Sequence, residues 1–177
     1  MLKEIYEQPK TINDTISPRI KDNDIVIEEL NMSDEEIKEI TKIHIVACGS
    51  AYHTGVTAKY VIEGLARIPV EVDVASEFRY RDPILQKGNM VIVISQSGET
   101  ADTLAALRES RERGFKVLGI VNVVGSSIAR EADSVMYTWA GPEIAVATTK
   151  AYSAQLTALY MLAMKFARVR GTIDQEK

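Results

Sequence analysis

Ser95, Ser97 and Thr100 crowd around Gly98 in a stretch that reads MVIVISQSGETADTLAAL from Met90 to Leu107. Hydroxyls packed about a glycine suit an anion, because each donates a hydrogen bond and the glycine lets backbone N–H groups approach as well. Met90 to Ile94 is an apolar run rich in β-branched residues, the pattern of a strand buried on both faces. From Ala101 the spacing of Leu104, Ala105 and Leu107 is helical. Strand, hydroxyl-rich turn and helix in that order aim the helix's unpaired first-turn N–H donors into one small space. The turn lacks the G-x-x-x-x-G-K-[ST] spacing, so no lysine bridges nucleotide phosphates, and it lacks the G-x-G-x-x-G of a pyrophosphate site. The anion that fits is one compact monoester phosphate. The competing reading is an ordinary helix cap, with Ser97 as N-cap and Thr100 at N3, but a cap uses one hydroxyl and the turn offers three.

The elements that must position this turn follow from periodicity. Met1 to Glu7 and Lys10 to Ile16 read as short helices, Asp24 to Leu30 as an edge strand or loop, and Ser33 with Glu36 as a capping box opening a helix from Asp34 to Thr41. His44 to Cys48 is a buried strand that turns through Gly49, Ser50 and Ala51 into a helix from Tyr52 to Arg67. Val70, Val72 and Val74 alternate with Glu71 and Asp73, as in a strand with one wetter face near a sheet edge. Ala75 to Arg81 is a short turn or helix. Phe115 to Val121 and Ser134 to Trp139 are further strands, separated by a helix from Ser126 to Ala132, and Thr149 to Arg170 is a long amphipathic helix. Such alternation implies a three-layer α/β, doubly wound, flavodoxin-like domain with a five-stranded parallel sheet in order 2-1-3-4-5. Its switch point lies between the strands ending at Cys48 and Ile94. The two hydroxyl-bearing turns therefore become neighbours at the sheet edge where ligands bind. The loop AGPEIAVATTK, Ala140 to Lys150, reaches the same edge; as a plain helix start it would have Thr148 as N-cap and Lys150 in solvent.

At 177 residues the chain is of single-domain size, with residues 1–41 as a helical arm packing on a domain of residues 42–177. A net charge of −4 and a pI near 5.3 argue against a nucleic-acid or membrane-surface binder. One cysteine excludes an intramolecular disulfide and a cysteine-cluster metal site, and no run is long enough to span a membrane. The chain reads as soluble and cytoplasmic. His44, on a strand flank, and His53, in the first turn of a helix, read as structural or solvated rather than as bases. Cys48 reads as a small apolar filler without a basic partner, Glu99 as a loop brace, and Arg108, Arg111 and Arg113 as a solvated helix face.

The runs Cys48 to Ser50, Ser95 to Thr103, Glu143 to Lys150 and Glu77 to Arg81 together resemble the sugar-isomerase (SIS) family. Within it they resemble the first SIS half of the isomerase region of the glutamine-dependent fructose-6-phosphate aminotransferases. The resemblance covers nearly the whole chain and implies a SIS fold that binds fructose 6-phosphate or glucosamine 6-phosphate in amino-sugar biosynthesis. It implies that Ser95, the Gln96 backbone, Ser97 and Thr100 hold the phosphate, that Cys48, Gly49 and Ser50 lie along the sugar, and that Val146 and Thr148 touch its other end. Ala51 stands where a serine is usual, while Ser50 and Thr148 exchange one hydroxyl residue for another. The resemblance further implies an upstream glutaminase domain, a downstream second SIS half supplying the catalytic glutamate and histidine, a lysine near the C-terminal tail for handling the amine, homodimers, and no metal or cofactor. No catalytic residue is therefore expected here, and the chain alone should not isomerise a sugar. Two alternatives remain: a stand-alone SIS isomerase, which needs a base within this chain, and the sugar-phosphate-sensing SIS module of a regulator.

Overall fold

Alternation of apolar residues along buried strands assigns each side chain to one face of a sheet, and two cores result. In the computed structural model, which describes residues 1–173, Ile43, Ile45 and Ala47 share one core with Met90, Ile92 and Ile94, and Val46 shares the other with Val91 and Val93. The strands are β3 (Lys42–Ala47), β4 (Val70–Val74), β5 (Asn89–Ser95), β6 (Lys116–Val121) and β7 (Ser134–Tyr137); a separate two-stranded hairpin, β1 (Ile20–Lys21) and β2 (Asp24–Ile25), precedes them. All five main strands are parallel, in the order β4-β3-β5-β6-β7, the expected 2-1-3-4-5 winding. Residues 174–177 of the expected domain lie outside the described residues.

The helices are α1 (Leu2–Tyr6), α2 (Gln8–Ile16), α3 (Asp34–Lys38), α4 (Gly49–Leu65), α5 (Ala75–Tyr80), α6 (Ala101–Glu112), α7 (Ser127–Glu131) and α8 (Lys150–Val169). α4 and α8 cover one face of the sheet, where Ala158, Leu162 and Phe166 of α8 meet Ile62 of α4 and Ile92. α5, α6 and α7 cover the other, through Phe78, Leu107 and Ile128. Gly55 lets α4 approach β3 closely: a Cβ there would come 2.8 Å from Ile45 Cγ2. The half-buried Arg170 side chain ties the tail of α8 to the carbonyls of Ala66, Lys38 and Ile40.

Several boundaries differ from expectation. α3 ends at Lys38 because the Thr41 N–H instead donates to Gly88 O at 2.8 Å, at the foot of the sheet. Its capping box of Ser33 and Glu36 is formed. α4 starts at Gly49, whose φ of +58° turns the chain straight from strand to helix. β7 ends at Tyr137 because Trp139 adopts φ +52°, outside the extended region. Asp24 to Leu30 divides into β2 and a 3-10 turn at Glu28–Leu30.

The first helices lie across the edge of the sheet. Arg19 is fully buried there, donating to Thr15 O at 2.7 Å, to Tyr137 O at 2.8 Å and to Glu29 Oε1 at 2.7 Å, while Thr15 Oγ1 donates to Thr138 O. A buried guanidinium needs such acceptors; they meet its two terminal nitrogens, while its Nε–H is buried without one among the described residues.

Candidate functional site

Where β3 and β5 end side by side, with Ala47 opposite Ile94, the two following helices begin together. Cys48 is the N-cap of α4 and Thr100 that of α6, and no side chain accepts a capping bond at either. The first-turn N–H groups of two helices are thus left without side-chain acceptors at one point. Neither Ser97 nor Thr148 is the N-cap that a plain helix start would make of it, the latter position falling to Thr149.

The Ser95 to Thr100 turn is braced from inside and from behind. Ser95, almost fully buried, accepts the Gly98 N–H at 3.0 Å and pairs with Thr100 Oγ1 at 2.9 Å; Ser97 Oγ accepts the Glu99 N–H at 3.2 Å. From behind, the Asn122 N–H donates to Gln96 O at 3.1 Å and the Ile128 N–H to Gly98 O at 3.0 Å. Glu99 Oε1 accepts the Ser127 N–H at 2.7 Å, and this bond holds the Glu99 carboxyl below its ordinary pKa. Glu99 is therefore a loop brace, as its place in the sequence indicates.

The third wall is the loop between β7 and α8. Here Glu143 does the capping: its carboxylate accepts the Thr148 hydroxyl at 2.7 Å and the Thr149 N–H at 2.7 Å. Lys150, expected in solvent, is instead buried and donates to Glu7 Oε2 at 2.7 Å. A cation in the first turn of a helix opposes the dipole, and Glu7 offsets that charge.

Together these segments enclose a cleft of about 310 Å³. Cys48, Gly49, Ser50, Ser95, Gln96, Ser97, Thr100, Val146 and Thr148 all line it, so the nine positions singled out in the sequence come together. Ala51, Ile94, Ala145, Glu143 and Gln155 line it as well. Gln155 was missed, although a polar residue in the Ala- and Leu-rich inner stripe of α8 is the signal that marks it. No lysine, arginine or histidine is among the described lining residues, and Glu143 is the sole carboxylate there, already engaged in capping. Cys48 is half-buried, with Thr103 Oγ1 at 3.9 Å from its sulfur.

Other titratable groups lie elsewhere. His44 is buried in β3, 3.3 Å from Asn89 Oδ1, and desolvation followed by the nearby Lys42 charge pushes its pKa down. Its ring nitrogens approach Glu71 and Asp73, but Lys42 and Arg81 neutralise those carboxylates, which leaves no anionic pair for a cation. His53 is exposed on α4. Arg108 and Arg111 are exposed but paired with Glu131 and Asp133 on α7 and the loop after it, and Arg113 pairs with Asp82 and Glu109.

Known proteins share this fold and much of this sequence. Aligned over 178 residues, the chain is 61% identical to the glutamine–fructose-6-phosphate aminotransferase (isomerizing) of Clostridium tetani, with 100% of this chain and 29% of that protein covered. The same identity and coverage hold for the protein of that name from Caldanaerobacter subterraneus subsp. tengcongensis. The chain thus spans under a third of the length of these curated relatives. Among solved structures, the C-terminal domain of glucosamine-fructose-6-phosphate aminotransferase from Francisella tularensis superposes with a TM-score of 0.94 at 43% identity, covering 99% of this chain and 49% of that one. The SIS domain model matches residues 36–165, a span that contains every residue lining the cleft. By fold, by cleft and by this match, the chain belongs to the SIS domain family.

Proposed function

We propose that this chain is the sugar-phosphate-holding first SIS half of a glutamine–fructose-6-phosphate aminotransferase (isomerizing), taking fructose 6-phosphate or glucosamine 6-phosphate in amino-sugar biosynthesis. The reading rests on one observation: three segments far apart in sequence line a single cleft beneath two helix N-termini that no side chain caps. The phosphate accepts from Ser95, Ser97, Thr100 and the Gln96 backbone, with the α6 dipole supplying the positive field that no lysine or arginine provides. Cys48, Gly49 and Ser50 run along the sugar, and Val146 and Thr148 meet its far end. Glu143 has no free oxygen to move a proton, which supports a chain that binds and orients while proton transfer comes from elsewhere.

In this reading residues 1–41 form an arm on a SIS domain of residues 42–177, a glutaminase domain and a second SIS half complete the enzyme, and the whole works as a cytoplasmic homodimer. Val146, exposed where it lines the cleft, suits coverage by such a neighbour. Among the described residues no helix is long and apolar enough to cross a membrane. Isothermal titration with fructose 6-phosphate, glucosamine 6-phosphate and fructose tests the binding role. The expected result is binding of the phosphorylated sugars alone, with no aldose formed. Turnover of fructose 6-phosphate by this chain, or equal binding of fructose, would refute it.

A further inference from the structure

The middle of the loop between β7 and α8 has no secondary structure, yet it supplies Ala145 and Val146 to the cleft. Its start is tied by Asn122, whose side chain accepts the Ala140 N–H and donates to Gly141 O, both at 2.8 Å. Its end is tied by Glu143 to Thr148 and Thr149. Between these anchors, Glu4 Oε1 on α1 accepts the Ile144 N–H at 2.6 Å and the Ala145 N–H at 3.2 Å. Glu4 is only 6% exposed, so its carboxylate exchanges water for these two amides. The next polar residues of the same arm continue the line. Glu7 accepts from Lys150, and Gln8 Oε1 accepts the Ser153 hydroxyl at 2.6 Å, both in the first turn of α8.

We propose that the N-terminal arm is a strap that sets the sugar end of the cleft, with Glu4 as a positioning residue that fixes the Ile144–Ala145 backbone and thereby places Val146 and Thr148. The inference rests on the reading that the cleft holds a sugar phosphate with its phosphate at Ser95 to Thr100. Two consecutive amides held by one charged acceptor fix a peptide plane, whereas the exposed Ile144 and Val146 side chains contribute little burial of their own. A loop left free must be ordered by the ligand, which lowers affinity for any ligand that touches it and leaves untouched one that does not.

That difference gives the test. The full chain and its Glu4→Ala and Glu4→Gln variants are titrated with inorganic phosphate and with fructose 6-phosphate, and amide exchange is followed at Ile144 and Ala145. Glu4→Ala should speed exchange at both amides and weaken fructose 6-phosphate about tenfold while inorganic phosphate stays within about twofold. Glu4→Gln, which keeps an acceptor oxygen without the charge, should fall between. Unchanged exchange, unchanged fructose 6-phosphate affinity, or equal weakening of both ligands would overturn the strap. If the unmodified chain binds inorganic phosphate but no sugar phosphate, the binding role is refuted, and with it the placement of a sugar by Glu4.

Discussion

Gly98 sits at the crest of the hydroxyl turn with φ +69°, and a Cβ added there would run into Ser126, approaching its Cβ to 2.5 Å and its buried Oγ more closely still. The turn cannot simply lift away, because the Gly98 carbonyl accepts the Ile128 N–H and Glu99 is tied to Ser127. Gly98→Ala therefore meets two costs. Placing an L-residue in the left-handed region costs about 1–2 kcal/mol. Overpacking against Ser126 adds about 1–3 kcal/mol, for a total loss of stability of about 2–5 kcal/mol. The two separate in a double variant: Gly98→Ala with Ser126→Gly removes the clash and keeps the backbone strain, so it should recover the overpacking share alone. Urea denaturation of the four proteins, read as a shift in midpoint at constant slope, measures this. Titration with inorganic phosphate should show weaker binding in Gly98→Ala and partial recovery in the double variant. A Gly98→Ala protein with unchanged midpoint and affinity would refute the argument that the turn is held rigidly.

Other outcomes follow from single contacts. Ser97→Ala and Thr100→Ala should each weaken phosphate binding by about 1–2 kcal/mol, measured by titration, and unchanged affinity in Ser97→Ala would make the turn a mere structural corner. His44 has a pKa lowered by burial from the ordinary 6.5, so below pH 6.5 the unfolded chain binds more protons than the folded one. Its contribution to stability is complete above pH 6.5 and is lost as pH falls through the lowered folded value; denaturation midpoints between pH 7 and pH 5 should fall less steeply in His44→Gln. Glu7→Ala, which strands the buried Lys150 cation at a helix N-terminus, should lower the midpoint more than Lys150→Met, which removes the charge and keeps the bulk.

The sheet was legible because parallel strands buried on both faces are written as continuous apolar runs, and Met90 to Ile94 and Ile43 to Ala47 are such runs. Their order followed from right-handed crossovers, and the order alone brought Cys48 and Ser95 to one edge. What the sequence left hidden were contacts across long separations. Local pattern makes Lys150 a solvated helix-start residue and gives no sign that Arg19 is buried; both are buried because partners more than 100 residues away, Glu7 and the Tyr137 carbonyl, meet them. Glu143 was hidden for a different, local reason: its capping of Thr149 from six residues upstream follows no standard box spacing. Boundaries slipped where a single φ decided them, at Gly49 and Trp139.

The central claim is that one cleft, built from the turns after β3 and β5 and the loop before α8, holds a sugar phosphate. The most direct measurement is mapping of backbone amide shifts as fructose 6-phosphate is added to the full chain. The perturbed amides should cluster at Cys48 to Ser50, Ser95 to Thr100 and Ala145 to Thr148, and inorganic phosphate should reproduce the middle group alone. Shifts centred instead at the opposite end of the sheet, around Gly88 and Lys116, where a separate hollow lies, would contradict it.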